Sequence, residues 1–195
     1  MAGLAKVVVI ALDAADAELI QEWRERGFLP ALQNLAETGR AVATSNPPGL
    51  YTGALWPSFF TASSPGRHGR YFYRQIRTGS YDIVNFDSET IPMRPFWEVL
   101  SDAGRRVGVI DVPKAPLATR LNGLQISDWG SHDTGDEPRS YPTELIGEVS
   151  RRFGSDPVGS CDLRHGDESS LGSLRDALIE RLHRKAAISE HCLAQ

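Results

Sequence analysis

Two residues early in the sequence have the type and placement to do phosphoryl chemistry. Asp13 closes residues 6–12, a run of Val, Ile, Ala and Leu behind a single Lys, with no polar alternation. That is the pattern of a strand buried on both faces. An acid ending such a strand stands at the carboxyl edge, where open parallel sheets gather their ligands. With Asp16 three positions on, Asp13 could equally be a turn or cap aspartate. Thr52 follows the stiff Asn46-Pro47-Pro48-Gly49 segment and opens a helical segment reaching Thr61. The free N–H groups and dipole at a helix start favour an anion, so a hydroxyl there could attack a phosphate held by the amides. It could also be an ordinary threonine N-cap. A threonine alkoxide is costly unless a divalent cation coordinates it, and an Asp carboxylate is a normal oxygen ligand for such a cation. The pair Asp13 and Thr52 therefore makes chemical sense only with a metal between them.

The elements that must position these residues are well punctuated. Asp16 predicts a helix to about Arg26, stopped by Gly27, and Pro30 opens a second that Gly39 stops. A short strand is expected over residues 40–44. Pro57 lies inside the Thr52 helix, where it removes a backbone hydrogen bond. Residues 71–87 read as strand or hairpin, and residues 96–103 as a helix between Pro95 and Gly104. Residues 106–112 and 123–129 are further strands. Residues 142–153 have helix character, and residues 154–172 read as irregular. In the last helix Leu174, Leu178, Leu182 and Ala186 recur at four-residue steps, the spacing of an inward face. This order of strands and helices predicts one α/β domain over residues 1–195, a mostly parallel sheet flanked by helices.

Other chemistry-bearing residues are weaker candidates. Asp162, His165 and Asp167 cluster in sequence but read as a solvated loop, and His132-Asp133 stands in a polar segment that could touch a substrate. His183 and His191 are eight residues apart on one helix, two turns, too far to share a metal. Cys161 and Cys192 are too few for a disulfide framework; they could pair in an oxidising compartment, and in a reducing cytoplasm they read as unrelated thiols.

Composition bounds the rest. The 195 residues, 41% hydrophobic and 24% charged, suffice for one packed core. A net charge of −4 excludes a broad electrostatic attraction to nucleic acid or an anionic membrane. The apolar run before Asp13 is too short for a signal or membrane segment, so the expected compartment is the cytoplasm.

Taken in order, "VVVIALDAAD", "LPALQNLAETG", "NPPGLYTGALWPSFFTASSPGRHG", "PFWEVLSDAGRRVGVIDVP" and "NGLQISDW" resemble the alkaline phosphatase superfamily. The branch they most resemble is the type I phosphodiesterase/nucleotide pyrophosphatase-like proteins. The likeness runs from about Lys6 to about Trp129, and more loosely through Tyr141-Pro142 to the last helix. It implies an alkaline-phosphatase-like core and a metal-dependent hydrolase of small-molecule phosphate esters, acting neither on nucleic acid polymers nor at a membrane. By the same resemblance Asp13 is a metal ligand. Thr52, seventeen residues before Gly69, is the nucleophile and touches the metal. The cofactors implied are two divalent ions, zinc, and His68 is structural. Nucleotide-cleaving members carry Asn three positions after the nucleophile, where this chain has Leu55, which counts against a nucleotide substrate. "TGALW" lacks the Cys or Ser motif of sulfatases. The family's remaining Asp and His ligands have no counterpart after Trp129, and the last helix runs uncapped to Gln195. The sequence is thus expected to be the N-terminal part of the fold, incomplete at its C-terminus. Alone it would turn over little or nothing, and an uncovered strand edge would promote self-association. The alternatives are a non-catalytic remnant or binding domain of the same fold, or a phosphomutase or phosphonate hydrolase of the superfamily.

Overall fold

The computed structural model describes residues 6–13, 15–45, 52–85, 88–130, 137–159 and 168–194. The chain divides into two compact units, Met1–Ser45 and Asn46–Gln195.

The first unit is a helical pair. Helix α1, Ala17–Glu25, starts where the Asp16 carboxylate accepts the Leu19 N–H at 2.8 Å, the cap expected of that aspartate. Gly27 takes a left-handed φ of 76° just past its end, so the chain reverses without a Cβ penalty. Helix α2, Pro30–Thr38, has its proline in the first turn and closes with the Gly39 N–H on the Leu35 carbonyl at 2.9 Å. Arg24 Nε donates to Gln33 Oε1 at 3.1 Å and ties the two helices. Residues 6–12 and 40–44, expected as strands, form no ladder, and Val7 and Ile10 are 81% and 78% exposed. The reason is physical: a strand exists by hydrogen bonding to a neighbour, and the described residues of this unit are otherwise helix and turn.

The second unit begins with α3, Thr52–Thr61, and the short α4, Pro65–His68. A hairpin follows, β1 Arg74–Ile76 against β2 Ile83–Asn85. After a 3₁₀ turn over Ser88–Thr90 come α5, Phe96–Asp102; β3, Val107–Ile110; β4, Gly123–Ser127; β5, Arg139–Tyr141; α6, Leu145–Phe153; and α7, Glu168–Leu193. Strands β3 and β4 pair in parallel and β4 and β5 antiparallel, in the order β3-β4-β5. The sheet is therefore mixed: the α/β class with flanking helices is found as expected, while of the mostly parallel pairing expected from sequence the described residues of this sheet show β3 with β4 and not β4 with β5. A parallel return needs a crossover of a dozen or more residues, and the connection from β4 to β5 is shorter.

The pleat of the sheet separates two cores. Leu124 and Ile126 of β4 pack with Leu145 and Val149 of α6 and Ile188 and Cys192 of α7. Val109 of β3 packs on the other side with Phe60 of α3 and Trp97 of α5. Gln125, fully buried between the two Leu/Ile positions, has its amide satisfied. It accepts from the Ala118 N–H at 3.0 Å and donates to the Pro116 carbonyl at 2.9 Å, which fastens the loop after β3. Helix α7 departs from expectation twice. It starts at Glu168, inside the segment read as irregular, and its inward residues are Ile188 and Cys192. Leu178, Leu182 and Ala186 face solvent instead.

Candidate active site

Thr52 is the first residue of α3, as its place after the proline-rich loop predicted. One close approach fixes this end of the helix. A Cβ on Gly53 would lie 2.4 Å from the Phe72 carbonyl carbon, so only glycine admits the backbone that follows α4 against the first turn. Further along, Pro57 sits inside α3 without ending it. Its missing N–H leaves the carbonyl four residues back, that of Gly53, without the usual helical donor. Thr61 Oγ1 closes the helix on the Pro57 carbonyl at 2.6 Å.

His68 locks the same helix from below. The Arg70 backbone N–H donates to Nδ1 at 3.1 Å, so the ring proton resides on Nε2 and is donated to Ser58 Oγ at 2.9 Å. In this tautomer the imidazole turns no lone pair toward the serine and cannot serve as its base. Ser58 and His68 are a structural clasp between α3 and α4, not a nucleophile pair. Burial, and then the Arg70 guanidinium, hold the His68 pKa below its ordinary 6.5. A histidine with a depressed folded pKa contributes stability fully above 6.5, and that contribution is lost as pH falls from there through the folded value. Urea midpoints of the wild type are thus expected to drop below pH 6.5, with part of the drop absent in His68→Gln. Identical pH profiles for the two proteins would show that the clasp contributes nothing to this pH dependence.

Asp13 lies in the first unit, exposed, in a turn that no strand precedes among the described residues. The carboxyl edge expected there is instead found in the second unit, where β3 and β4 end at Asp111 and Asp128. Both have left-handed backbones, φ 48° and 63°. Asp111 Oδ1 accepts the Trp129 N–H at 2.9 Å, and Oδ2 accepts the Gly130 N–H at 3.0 Å and pairs with Lys185 Nζ at 2.8 Å. Asp128 pairs with Arg139 at 3.4 Å. Sequence reasoning placed Asp111 inside a strand and passed over it. The signal was the one used for Asp13, an acid closing a β-branched run.

Other candidates resolve into structural roles or lie elsewhere in the chain. His191 Nε2 bonds Glu148 at 2.8 Å and its Nδ1 accepts from Arg152 at 3.2 Å, while His183 is exposed. Cys192 is a free, buried thiol whose pKa is pushed up by burial and then by Glu148. His132, Asp133, Cys161, Asp162, His165, Asp167 and the Asn46–Gly49 loop lie outside the described residues.

Residues 7–157 match the sequence model of the type I phosphodiesterase/nucleotide pyrophosphatase family. The chain belongs to that family. It thereby falls in the alkaline phosphatase superfamily, whose type I phosphodiesterase branch hydrolyses small-molecule phosphate esters and is generally metal-dependent. Comparison with curated proteins and with solved structures finds no match. Among the described residues no group of three or more His, Cys, Asp or Glu is arranged to hold a metal ion. The described residues alone therefore do not assemble a metal site. Nor is any helix among them long and apolar enough to cross a membrane.

Proposed function

We propose that this phosphodiesterase-family chain carries the nucleophile of a phosphate-ester hydrolase at Thr52. The observation that supports the reading is the position of Thr52 as the first residue of α3, within the family-matched span. In the reaction Thr52 Oγ attacks phosphorus, the P–O bond to the leaving alcohol breaks, and the alcohol departs with a proton. Water then attacks the phosphothreonine, freeing the threonine and the phosphate product. Free N–H groups of the first helical turn favour the phosphate oxygens. Asp13 is proposed as one carboxylate of the divalent-cation site, zinc by family resemblance, and residues 1–195 as one α/β domain of that fold. Leu55, in place of the Asn of nucleotide-cleaving members, favours a simple phosphate diester over a nucleotide.

A second reading, a binding domain without turnover, is favoured by the lack of a metal-binding cluster among the described residues. The two are separated by acid-quenching the chain after incubation with an aryl phosphate diester and zinc, then mapping peptides by mass. A phosphoryl adduct on Thr52, absent from Thr52→Ala, is the expected result, with steady-state turnover low. An adduct elsewhere, or hydrolysis unchanged in Thr52→Ala, removes the nucleophile assignment. Neither adduct nor hydrolysis supports the binding domain.

A further inference from the structure

The longest helix turns its most regular apolar stripe away from the molecule. Helix α7 docks through Ile188 and Cys192, and through Lys185 on Asp111 and Arg181 on Asp156. On another face stand Leu171, Leu178, Leu182, Ala186 and Leu193, all exposed, with Leu182 68% and Leu193 76% accessible. Such a row of aliphatic side chains is what a partner helix covers.

The stripe is symmetric in sequence. Leu171 and Leu193 lie eleven residues to either side of Leu182, and Leu178 and Ala186 lie four. Reversed end to end, the row falls on itself, so in an isologous two-fold contact aliphatic residues meet aliphatic residues along its length. The charges beside it share nearly the same midpoint. Arg175, an exposed cation that within one chain bonds its neighbour Asp176 at 2.8 Å and would turn from it to the partner, is seven residues before Leu182, and Glu190, an exposed anion, is eight after. In an antiparallel pair each Arg175 comes opposite the other copy's Glu190. A parallel pair would set Arg175 against Arg175 and Glu190 against Glu190, so charge selects the antiparallel form.

We propose that α7 pairs antiparallel with α7 of a second copy of this chain, centred on Leu182. The two Leu182 side chains meet at the two-fold axis, and two Arg175–Glu190 pairs flank it. The contact lies apart from α3 and requires nothing of the hydrolase reading. Its occupant is a second copy because the face is complementary to itself in both apolar spacing and charge.

Sedimentation velocity over a concentration series tests this on the full chain, with circular dichroism melts to confirm that each variant folds. The wild type is expected to sediment as a dimer. Leu182→Glu, which places two carboxylates at the axis, should weaken association by about tenfold or more. Arg175→Glu and Glu190→Arg should each weaken it, and the double variant should recover it, since exchanging the two charges restores the pairing. A monomeric wild type overturns the proposal, as does a dimer indifferent to Leu182→Glu. A double variant no tighter than the single ones overturns the antiparallel register.

Discussion

Gly123→Ala is expected to cost on the order of 4 kcal/mol, a large share of a small domain's net stability. Gly123 opens β4 opposite Val107 of β3, with a φ of 142° that residues with a Cβ rarely adopt. A Cβ there would fall 1.9 Å from the Val107 carbonyl oxygen and 2.9 Å from its nitrogen. Those atoms are backbone, so no rotamer change relieves the overlap, and β3 and β4 would have to part where their ladder begins. Gly79 is the control. Its φ of 80° is also left-handed, but nothing lies within 4 Å of the point where a methyl group would stand. Gly79→Ala should cost only the local conformational penalty, about 1 kcal/mol. Urea unfolding of the three proteins provides the comparison, and equal midpoints for the two variants would show that the strands tolerate separation.

The helices were legible because their boundaries are chemical. Asp16, Pro30, Gly39 and Pro95 each stand at a terminus that the structure confirms, and a cap acts through neighbours in sequence. Strands β3 and β4 were legible from their apolar runs, and they found each other. Residues 6–12 have an equally strong run and form no ladder. Composition can state that a segment suits a buried strand, but not that a partner strand lies beside it.

The inward face of α7 was misread for a related reason. Periodicity identifies an apolar stripe, and a helix with two such faces presents two. Ile188 and Cys192 won the inner position because polar residues near them had partners in the fold: Lys185 on Asp111 and Arg181 on Asp156. Long-range ion pairs leave no periodic trace in sequence. The candidate site divides along the same line. Thr52 was readable as a helix start, whereas the constraint of Gly53 against Phe72 required the folded backbone.

The same distinction makes Asp111 the most consequential carboxylate in the described structure. Its side chain is 7% exposed and holds three groups at once: the Trp129 and Gly130 amides beyond β4, and Lys185 of α7. Asp111→Ala would strand a cation and two N–H donors, and would put an alanine at a φ of 48°. A cost of about 3–5 kcal/mol is expected, because each buried amide left without an acceptor costs about 1–3 kcal/mol and the left-handed φ adds to it. Lys185→Met should cost far less, on the order of 1 kcal/mol. The carboxylate would keep both amides, and the ammonium it loses is already a third exposed. Urea midpoints rank the two variants, and amide hydrogen exchange at Trp129 and Gly130 locates the damage. In Asp111→Ala both amides should exchange faster, while in Lys185→Met they should stay protected. If Lys185→Met proves the more damaging, the attachment of α7, rather than the joining of the strand ends, is what this carboxylate provides.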